Sequence, residues 1–388
     1  MRTCSLALCV LLACGGDEGS DSDAGAERDA EIRADSARPD AGESDAGEDA
    51  AQPDAAVPDA GSDLVAAFML TGHLSRRVLT CDGGDSFVYD ISADEVAHCW
   101  DMSGGTGPEC DHHPTSNNGV AYGNGMFVTT AGWGALEDDE GGLFASNGSA
   151  DWIQHVPGNT YNGVAFGNGV FIANSSRPAI STDGESFTTH EGFFGGTPRG
   201  AFFSPALGGR HVLYRDTVAN TWITEDNGET FFQPDDASAC AFDGSVLGAA
   251  GGDVIVLYSR RDNVGCASSD GGRTWSGFAF PGEIQSHLVW TGSEFWGWGV
   301  GVRFRSSDGQ TWEMDARERV ADRIRHVARH EDGTLLGIVS EWGSYYEGSG
   351  AFRSTDGLTW TATAASDQLN GHPIRGMTAG WVPASRCE

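Results

Sequence analysis

The sequence predicts an all-β protein, a seven-bladed β-propeller with four-stranded blades, in which the N- and C-terminal strands share one blade. Three observations carry this prediction. A short turn motif recurs seven times, an apolar hairpin alternates with it, and each end of the repeat region holds only part of a repeat. Regular spacing of this kind is typical of stacked repeats. Two hairpins per repeat give four strands, which is the size of a propeller blade.

The turn motif has the form Ser/Thr-x-Asp-(x)-Gly-x-Ser/Thr-Trp/Phe, and we call its copies the Asp turns. The seven copies are 80–87 (TCDGGDSF), 145–152 (ASNGSADW), 181–187 (STDGESF), 224–231 (TEDNGETF), 268–275 (SSDGGRTW), 306–312 (SSDGQTW) and 354–360 (STDGLTW). Their third residues are Asp82, Asn147, Asp183, Asp226, Asp270, Asp308 and Asp356, at intervals of 65, 36, 43, 44, 38 and 48 residues. An Asp in a turn accepts backbone N–H bonds, and Gly adopts positive φ. We therefore predict that these Asp residues are structural and not catalytic.

The second repeating unit is an apolar hairpin with a Gly-rich turn. It is clearest in GVAYGNGMFV (119–128) and GVAFGNGVFI (163–172). Asn-Gly between alternating apolar residues is a strong hairpin signal, because both turn residues must tolerate positive φ. Weaker copies are expected at 201–214, 241–258, 288–298, 327–339 and 374–382.

The order of the two units predicts how the ring closes. The series begins with the Asp turn at 80–87 and ends with the predicted hairpin at 374–382. Joined, they make the seventh blade. Strand 64–70 belongs to the same blade, where it either replaces or supplements the last C-terminal strand.

The Asp turns resemble the Asp-box of sialidase-type propellers, also called the bacterial neuraminidase repeat. The resemblance covers most of residues 80–360. It implies that each Asp-box lies between the third and fourth strands of a blade and that ligands bind on the opposite face. Sialidases also carry an Arg-Ile-Pro signature before the first Asp-box. Here residues 74–80 read LSRRVLT, without Ile-Pro, so no catalytic residue is assigned.

The N-terminus reads as an export signal. Arg2 precedes a short apolar stretch at 5–12, and Leu-Leu-Ala-Cys ends at Cys14. This sequence resembles the lipobox of bacterial lipoproteins, which implies a signal peptide at 1–13 and a lipid on Cys14. An ordinary secretory signal is the alternative. The expected location is the cell envelope, at the outer membrane or cell surface, with membrane contact through the lipid only.

Residues 14–63 are predicted to be a disordered acidic tether, and residues 64–388 the propeller. Residues 15–63 hold sixteen Asp and Glu, three Arg and no aromatic residue, which is too little apolar surface to fold. The whole chain carries a net charge of −33. An acidic surface repels phosphate backbones, so we expect no nucleic-acid partner.

The number of cysteines in the propeller region is consistent with export. Six lie in the propeller region, namely Cys81, Cys99, Cys110, Cys240, Cys266 and Cys387. An even number in an exported domain indicates disulfides. Fifteen connectivities are possible, and we predict 99–110, 240–266 and 81–387. The last bridge would lock the ring.

Aromatic residues that follow the second strands of blades are candidates for the ligand face. These candidates, with one neighbouring carboxylate, are Trp133, Trp298, Trp342, Tyr345, Tyr346 and Glu347. Aromatic side chains near Gly-rich loops stack on sugars or on partner side chains. Packing between blades is the alternative for each. Arg177, Arg215, Arg260 and Arg375 are scattered near the same face.

The longest loop between blades, 90–114, contains His98, Cys99, Cys110, His112 and His113. Its spacing matches no zinc-finger pattern, so we predict a loop disulfide and no metal. The acidic run at 137–140 matches no Ca²⁺ loop, and we expect it to be solvated. No cofactor is expected.

Three functions fit this sequence. The first is a monomeric, lipid-anchored module that binds a protein or a glycan through the face opposite the Asp turns. The second is a sialidase-like glycoside hydrolase. The third is an assembly or scaffolding factor, a role that the resemblance to other Asp-box propellers allows.

Overall fold

The computed structural model describes residues 63–72, 76–90, 116–133, 141–192, 199–215, 217–240, 242, 246–339, 350–369 and 374–388. The predicted signal peptide and Cys14 lie outside these ranges, as do nearly all of the tether and the Cys99–Cys110 loop. In the described part of the chain, no helix is both long and apolar enough to cross a membrane.

The described residues form short β-strands and a few 3₁₀ turns. The strands are β1 (Leu64–Gly72), β2 (Arg77–Thr80), β3 (Val88–Tyr89), β4 (Ser116–Gly123), β5 (Met126–Trp133), β6 (Gly142–Ser146), β7 (Ile153–His155), β8 (Gly163–Gly167), β9 (Val170–Asn174), β10 (Ala179–Ser181), β11 (Thr188–Thr189), β12 (Gly200–Ser204), β13 (Arg210–Tyr214), β14 (Trp222–Thr224), β15 (Val246–Gly251), β16 (Val254–Ser259), β17 (Val264–Ser268), β18 (Ser276–Ala279), β19 (Val289–Trp290), β20 (Phe295–Gly299), β21 (Val302–Ser306), β22 (Glu313–Ala316), β23 (Ile324–Arg329), β24 (Leu335–Val339), β25 (Gly350–Ser354), β26 (Thr361–Ala362) and β27 (Ile374–Pro383). The 3₁₀ turns are Ala206–Gly208, Val218–Asn220, Arg319–Ala321, Ser366–Leu369 and Ala384–Arg386.

These strands make seven antiparallel sheets, the blades of a β-propeller ring, as predicted. Blade 1 is β4–β7, blade 2 is β8–β11, blade 3 is β12–β14, blade 4 is β15–β18, blade 5 is β19–β22 and blade 6 is β23–β26. The closing blade has the order β27-β1-β2-β3. In blade 3 the fourth strand is reduced to a single bridge between Ile223 and Phe232.

The closing blade confirms the shared ends but corrects one detail of the prediction. The segment at 374–382 is not a hairpin. It is one continuous strand, paired with β1 from Leu64–Pro383 to Thr71–Gly376. The φ angle of Gly380 is not positive, so the chain does not turn there. Strand β1 therefore replaces the second C-terminal strand.

The C-terminal residues fasten this blade to its neighbour. Cys387 is bonded to Cys81, as predicted, and the two cysteines are 306 residues apart in sequence. Arg386 forms an ion pair with the buried carboxylate of Asp90, which also accepts a hydrogen bond of 2.7 Å from Trp152 Nε1. The predicted Cys240–Cys266 pair is bonded, and it links β17 of blade 4 to the connection that precedes the blade.

Each Asp turn is held by a short network of hydrogen bonds. In the Asp270 turn, Ser268 Oγ donates to Asp270 Oδ1 at 2.8 Å, and the backbone N–H of Thr274 donates to the same oxygen at 3.0 Å. The N–H of Gly272 donates to Ser268 Oγ at 2.8 Å. The Ser/Thr-to-Asp bond recurs at 2.7–3.1 Å in the six turns that carry an Asp. In the remaining copy, Asn147 accepts one backbone bond at 3.2 Å.

The aromatic residues that end the turns pack between blades. Trp312 is buried among Tyr258, Phe280 and Phe295, which belong to blades 4 and 5 and their connection. Its Nε1–H donates to the carbonyl of Gly309, 3.2 Å away. The motif thus ties a tight turn to the core between two blades.

The Asp turns share one face of the ring with the turns between first and second strands. Asn124, in the turn between β4 and β5, donates through Nδ2 to the carbonyl of Thr182 at 2.8 Å. Thr182 belongs to the Asp turn of blade 2. We call this the Asp-turn face and the opposite one the channel-mouth face.

The Asp-turn hydrogen bonds predict a stability change in acid. Backbone N–H groups of Ser186 and Glu185 and the hydroxyl of Ser181 lower the pKa of Asp183 to about 2, from an ordinary value of about 3.9. A carboxyl with a lowered folded-state pKa stabilises the fold above its unfolded pKa and loses that effect as pH falls through the folded value. We therefore expect Asp183→Asn to be less stable than the parent at pH 7. The gap should close between about pH 4 and pH 2.

Urea unfolding at several pH values measures this gap. Asp253→Asn is the matched control, because Asp253 lies exposed in the turn between β15 and β16. A gap that stays constant from pH 7 to pH 2 would show that the ionised carboxylate of Asp183 does not stabilise its turn.

Candidate functional site

A cavity of about 160 Å³ opens where the innermost strands of the blades begin. Its polar and aromatic lining comprises Asn162, Arg199, Tyr214, His287, His326 and Arg375. The first strand of each blade runs toward the Asp-turn face, so its beginning lies at the channel-mouth face. The cavity is therefore on the face where the sequence predicted ligand binding.

Glycines form one side of the cavity. Gly376, Gly119, Gly163 and Gly200 lie on the innermost strands of four consecutive blades. A Cβ on Gly163 would lie 2.5 Å from the backbone of Gly200, and a Cβ on Gly119 would lie 3.1 Å from Gly163 Cα. These strands approach each other so closely because they have no side chains at this level.

Two histidines lie on the other side, with arginines near them. The rings of His287 and His326 are 4.8 Å apart, centroid to centroid, and both are half-buried. His287 precedes the first strand of blade 5, and its N–H donates to the carbonyl of Arg325 in blade 6 at 2.9 Å. Tyr258 fixes the backbone on both sides of His287: its hydroxyl donates to Ser286 O at 3.1 Å and accepts from Leu288 N at 2.9 Å.

Two of the arginines lie at irregularities of the innermost strands. The register of β23 against β24 shifts between Ile324 and His326, which makes Arg325 the extra residue. The register of β27 against β1 shifts between Gly376 and Ile374, which makes Arg375 the extra residue. A β-bulge bends its strand and redirects a side chain, and bulges are common beside functional sites.

Arg260 completes the basic cluster from the connection between β16 and β17. Its guanidinium donates to the carbonyl of Gln285 at 2.7 Å, just before the His287 segment. Burial lowers the pKa of Arg260, and the charge of Arg325 lowers it further. Arg199, by contrast, is exposed at the rim of the cavity.

Burial keeps both histidines neutral near pH 7, and the neighbouring arginines add to this effect. Desolvation lowers the pKa of His326 to about 3, with added repulsion from Arg260, Arg325 and Arg375. Desolvation, His326, Arg260 and Arg325 lower the pKa of His287 as well. Among the described residues that line the cavity, none is Asp or Glu. The described lining of the mouth thus carries arginines and histidines, in a chain of net charge −33.

Trp298 corrects the predicted list of ligand-face residues. Its side chain is 1% exposed, and Nε1–H donates to the carbonyl of Gly357 at 2.7 Å. The ring packs edge-on against Trp360 at 5.5 Å. Trp298 therefore fills the space between blades 5 and 6, the alternative that the sequence left open.

The other aromatic candidates are not placed at a site. Trp133 is the last residue of β5, but the structure does not describe its side chain. Trp342, Tyr345, Tyr346 and Glu347 fall in the undescribed segment 340–349, and the acidic run at 137–140 is undescribed as well. In the described ranges, no three His, Cys, Asp or Glu side chains converge as a metal site.

The sequence prediction omitted Arg199, His287, Arg325 and His326 and treated Arg260 and Arg375 as scattered. A signal for some of them was present. Asn162, Arg199 and Arg375 each precede a Gly that begins the apolar run of an innermost strand. The position just before that Gly is therefore the one that faces the mouth.

A second cavity of similar size lies on the Asp-turn face, between blade 6 and the closing blade. It is lined by His330, Asp332 and Arg353, among others. Arg353 donates to the carbonyl of Asp82 at 2.8 Å, and Asp332 accepts the N–H of Thr334 at 2.8 Å. These contacts serve the turns, so the channel mouth is the better candidate site.

Known structures share this fold. A putative 6-phosphogluconolactonase from Bacteroides uniformis superposes with a TM-score of 0.54 and 9% identity, over 82% of this chain and 100% of that one. A GH74 enzyme from Niastella koreensis gives 0.49 and 16%, over 70% of this chain and 43% of that one. YCF48 from Cyanidioschyzon merolae gives 0.48 and 15%, over 65% and 86%.

At 9% identity, the likeness to the first of these structures shows the fold alone. The chain spans less than half the length of the GH74 enzyme. No protein-family model and no curated protein sequence matches it.

Proposed function

We propose that this protein is a non-catalytic binding module that holds a protein or glycan ligand at the channel mouth. One observation carries the proposal: arginine and histidine side chains gather around this cavity, and its described lining has no carboxylate. In an acidic protein, a basic cavity attracts the negatively charged groups of a ligand to one place. Retaining and inverting glycosidases generally use a pair of carboxylates at the scissile bond, so the described lining favours binding over hydrolysis.

We also propose that the module is exported and anchored through a lipid on Cys14. The support is the Leu-Leu-Ala-Cys sequence at 11–14, the acidic segment that follows, and the two disulfides, which persist in oxidising compartments. The Asp turns, with their Ser/Thr–Asp–Gly hydrogen bonds, support membership of the Asp-box propellers.

Binding can be tested with the purified full chain on a glycan array and in capture of partners from native membranes. We expect Arg199→Gln combined with Arg375→Gln to weaken binding at least about tenfold, since each loses charge-assisted hydrogen bonds to the ligand. Arg260 and Arg261 are sequence neighbours, and Arg261 is exposed and outside the cavity lining. A control with Arg261→Gln removes one positive charge outside the cavity and should bind within about twofold of the parent.

Hydrolysis and scaffolding give different results in the same experiments. If the protein hydrolyses fluorogenic glycosides and Glu347→Gln abolishes that turnover, the sialidase-like reaction replaces binding as the proposed function. Capture of an assembly partner that is unaffected by the two Arg substitutions would move the binding surface away from the mouth.

A further inference from the structure

We infer that the second cavity, on the Asp-turn face, binds a primary alkylammonium group, of the kind that ends a lysine side chain. This site goes beyond the proposed function, because it lies on the face opposite the channel mouth. It has three supports: a buried histidine nitrogen that faces the cavity, an excess of carboxylates around it, and an apolar wall beside them.

The first support is the imidazole of His330. The residue is 4% exposed and lines the cavity. Its Nδ1 forms no hydrogen bond with any residue that the structure describes. Phe68 and Trp381 pack edge-on against the ring, at 6.1 and 5.1 Å between centroids, and hold it in place. A buried polar atom without a partner is costly, so a ligand that bonds to Nδ1 removes that cost.

The position of this nitrogen suits a group that donates two hydrogen bonds. His330 Nδ1 is 3.7 Å from Oδ1 of Asp332, which also lines the cavity, and this distance is too long for a hydrogen bond. A single nitrogen placed between the two atoms can reach both. A carboxylate only accepts hydrogen bonds, and an imidazole nitrogen without a proton accepts as well. An ammonium group has several N–H donors on one nitrogen, whereas a hydroxyl has a single donor, so the pair matches an ammonium better.

The second support is the charge around the cavity. The two turn segments that contribute to it, 81–85 and 329–334, hold four Asp and Glu and one Arg, and Arg353 is the second cation. Four carboxylates against two guanidinium groups leave an excess of two negative charges. Arg353 is itself paired with Asp85 at 3.1 Å. The cavity therefore attracts a cation, in a chain of net charge −33.

The third support is an apolar wall that suits the methylene chain behind an ammonium. Ala66 and Phe68 of β1 line the cavity, as does Cys81, whose sulfur is bonded to Cys387. The cavity volume is about 160 Å³, whereas pockets that enclose a whole small ligand usually measure about 300–1,000 Å³. The cavity therefore takes one group with a short stem, and the rest of the ligand lies outside.

The occupant comes from another molecule. All 23 basic residues of the sequence are Arg, and none is Lys. A guanidinium group is planar and wider than an ammonium, which is a compact point charge on a flexible stem. No side chain among these 388 residues can therefore supply the group.

Butylammonium chloride is the probe, with calorimetry on the full chain at constant ionic strength. We expect saturable 1:1 binding. Tetramethylammonium has the same charge and no N–H donor, and 1-butanol has no charge, so each should bind at least about tenfold more weakly. Equal binding of tetramethylammonium would overturn the hydrogen-bonded site, and equal binding of butanol would overturn the preference for a cation. Absent or non-saturable binding of butylammonium would overturn the site itself.

Variants locate the binding in this cavity. Asp332→Asn should weaken butylammonium binding at least about tenfold, because it removes the charge but keeps the oxygen that accepts the N–H of Thr334. His330→Phe keeps an aromatic ring and removes Nδ1, which should weaken binding at least about threefold. Asp253→Asn is the matched control, since it removes the same charge from the corresponding turn of blade 4, and it should bind within about twofold of the parent. Unchanged binding in both Asp332→Asn and His330→Phe would overturn the assignment.

Nα-Acetyl-lysinamide distinguishes the two sources of an ammonium group. Binding as tight as that of butylammonium supports a lysine side chain of a partner protein, whereas binding at least about tenfold weaker assigns the site to a free amine. Arg199→Gln combined with Arg375→Gln, at the channel mouth, should leave butylammonium binding within about twofold. If butylammonium does not bind but those mouth substitutions abolish ligand capture, this inference is refuted and the proposed function stands.

Discussion

Replacing Cys81 and Cys387 with serine is expected to lower the free energy of unfolding by about 2–5 kcal/mol. The bond joins the Asp turn of the closing blade to the C-terminus and closes a loop of 306 residues. Without it, β27 is held in the ring only by pairing and packing, and the unfolded chain gains the entropy of the opened loop. Denaturant unfolding of the double variant beside the parent measures the loss.

The second disulfide supplies the control. Cys240 and Cys266 are 26 residues apart, within blade 4 and its preceding connection. On loop entropy alone, the Cys81–Cys387 bond should contribute about 2 kcal/mol more than the Cys240–Cys266 bond. Equal losses from the two double variants would show that closing the ring has no special energetic weight.

Trp298→Ala is expected to cost about 3–5 kcal/mol of stability, because it leaves a cavity between blades 5 and 6. The side chain is 1% exposed and its Nε1–H is hydrogen-bonded to Gly357. Trp298→Phe should cost less, since it keeps most of the apolar contact and loses mainly the hydrogen bond. Thermal and denaturant unfolding will rank the two variants.

An exposed apolar residue completes this comparison. Ile153 is 64% exposed in β7, and Ile153→Ala should change stability by less than about 0.5 kcal/mol. If Trp298→Ala were instead as stable as the parent but defective in binding, Trp298 would be a ligand residue after all.

The repeat pattern was sufficient to predict the ring, because it repeats a local requirement in each blade. Every Asp turn needs an acceptor at positions such as Asp270 and a flexible residue at positions such as Gly272, so the motif is visible in one sequence. The pairing of Cys81 with Cys387 was one choice among fifteen connectivities, and the structure confirms it at the point where the two incomplete ends join. The local hydrogen-bonding needs of the turns and the order of the two repeating units were therefore enough to predict the ring.

The mouth could not be predicted in the same way, because it depends on contacts between residues far apart in sequence. His287 and His326 are neighbours only because their blades are adjacent in the ring. The extra residues at Arg325 and Arg375 appear only when the strand registers are known. The sequence around Trp298 reads the same whether the side chain is exposed or buried. Its burial depends on Gly357, which belongs to the next blade.

The direction of β1 has a practical consequence for handling the protein. Its first residue, Leu64, pairs with Pro383, and Pro383 lies beside Gly148 in an Asp turn. Thr71, near its other end, pairs with Gly376 at the cavity. The chain therefore enters the ring on the Asp-turn face, a strand length of about 25 Å from the mouth. In a chain shortened to begin at Asp63, a sensor surface or tag coupled at the new N-terminus would meet the ring on the Asp-turn face and leave the mouth toward the solution.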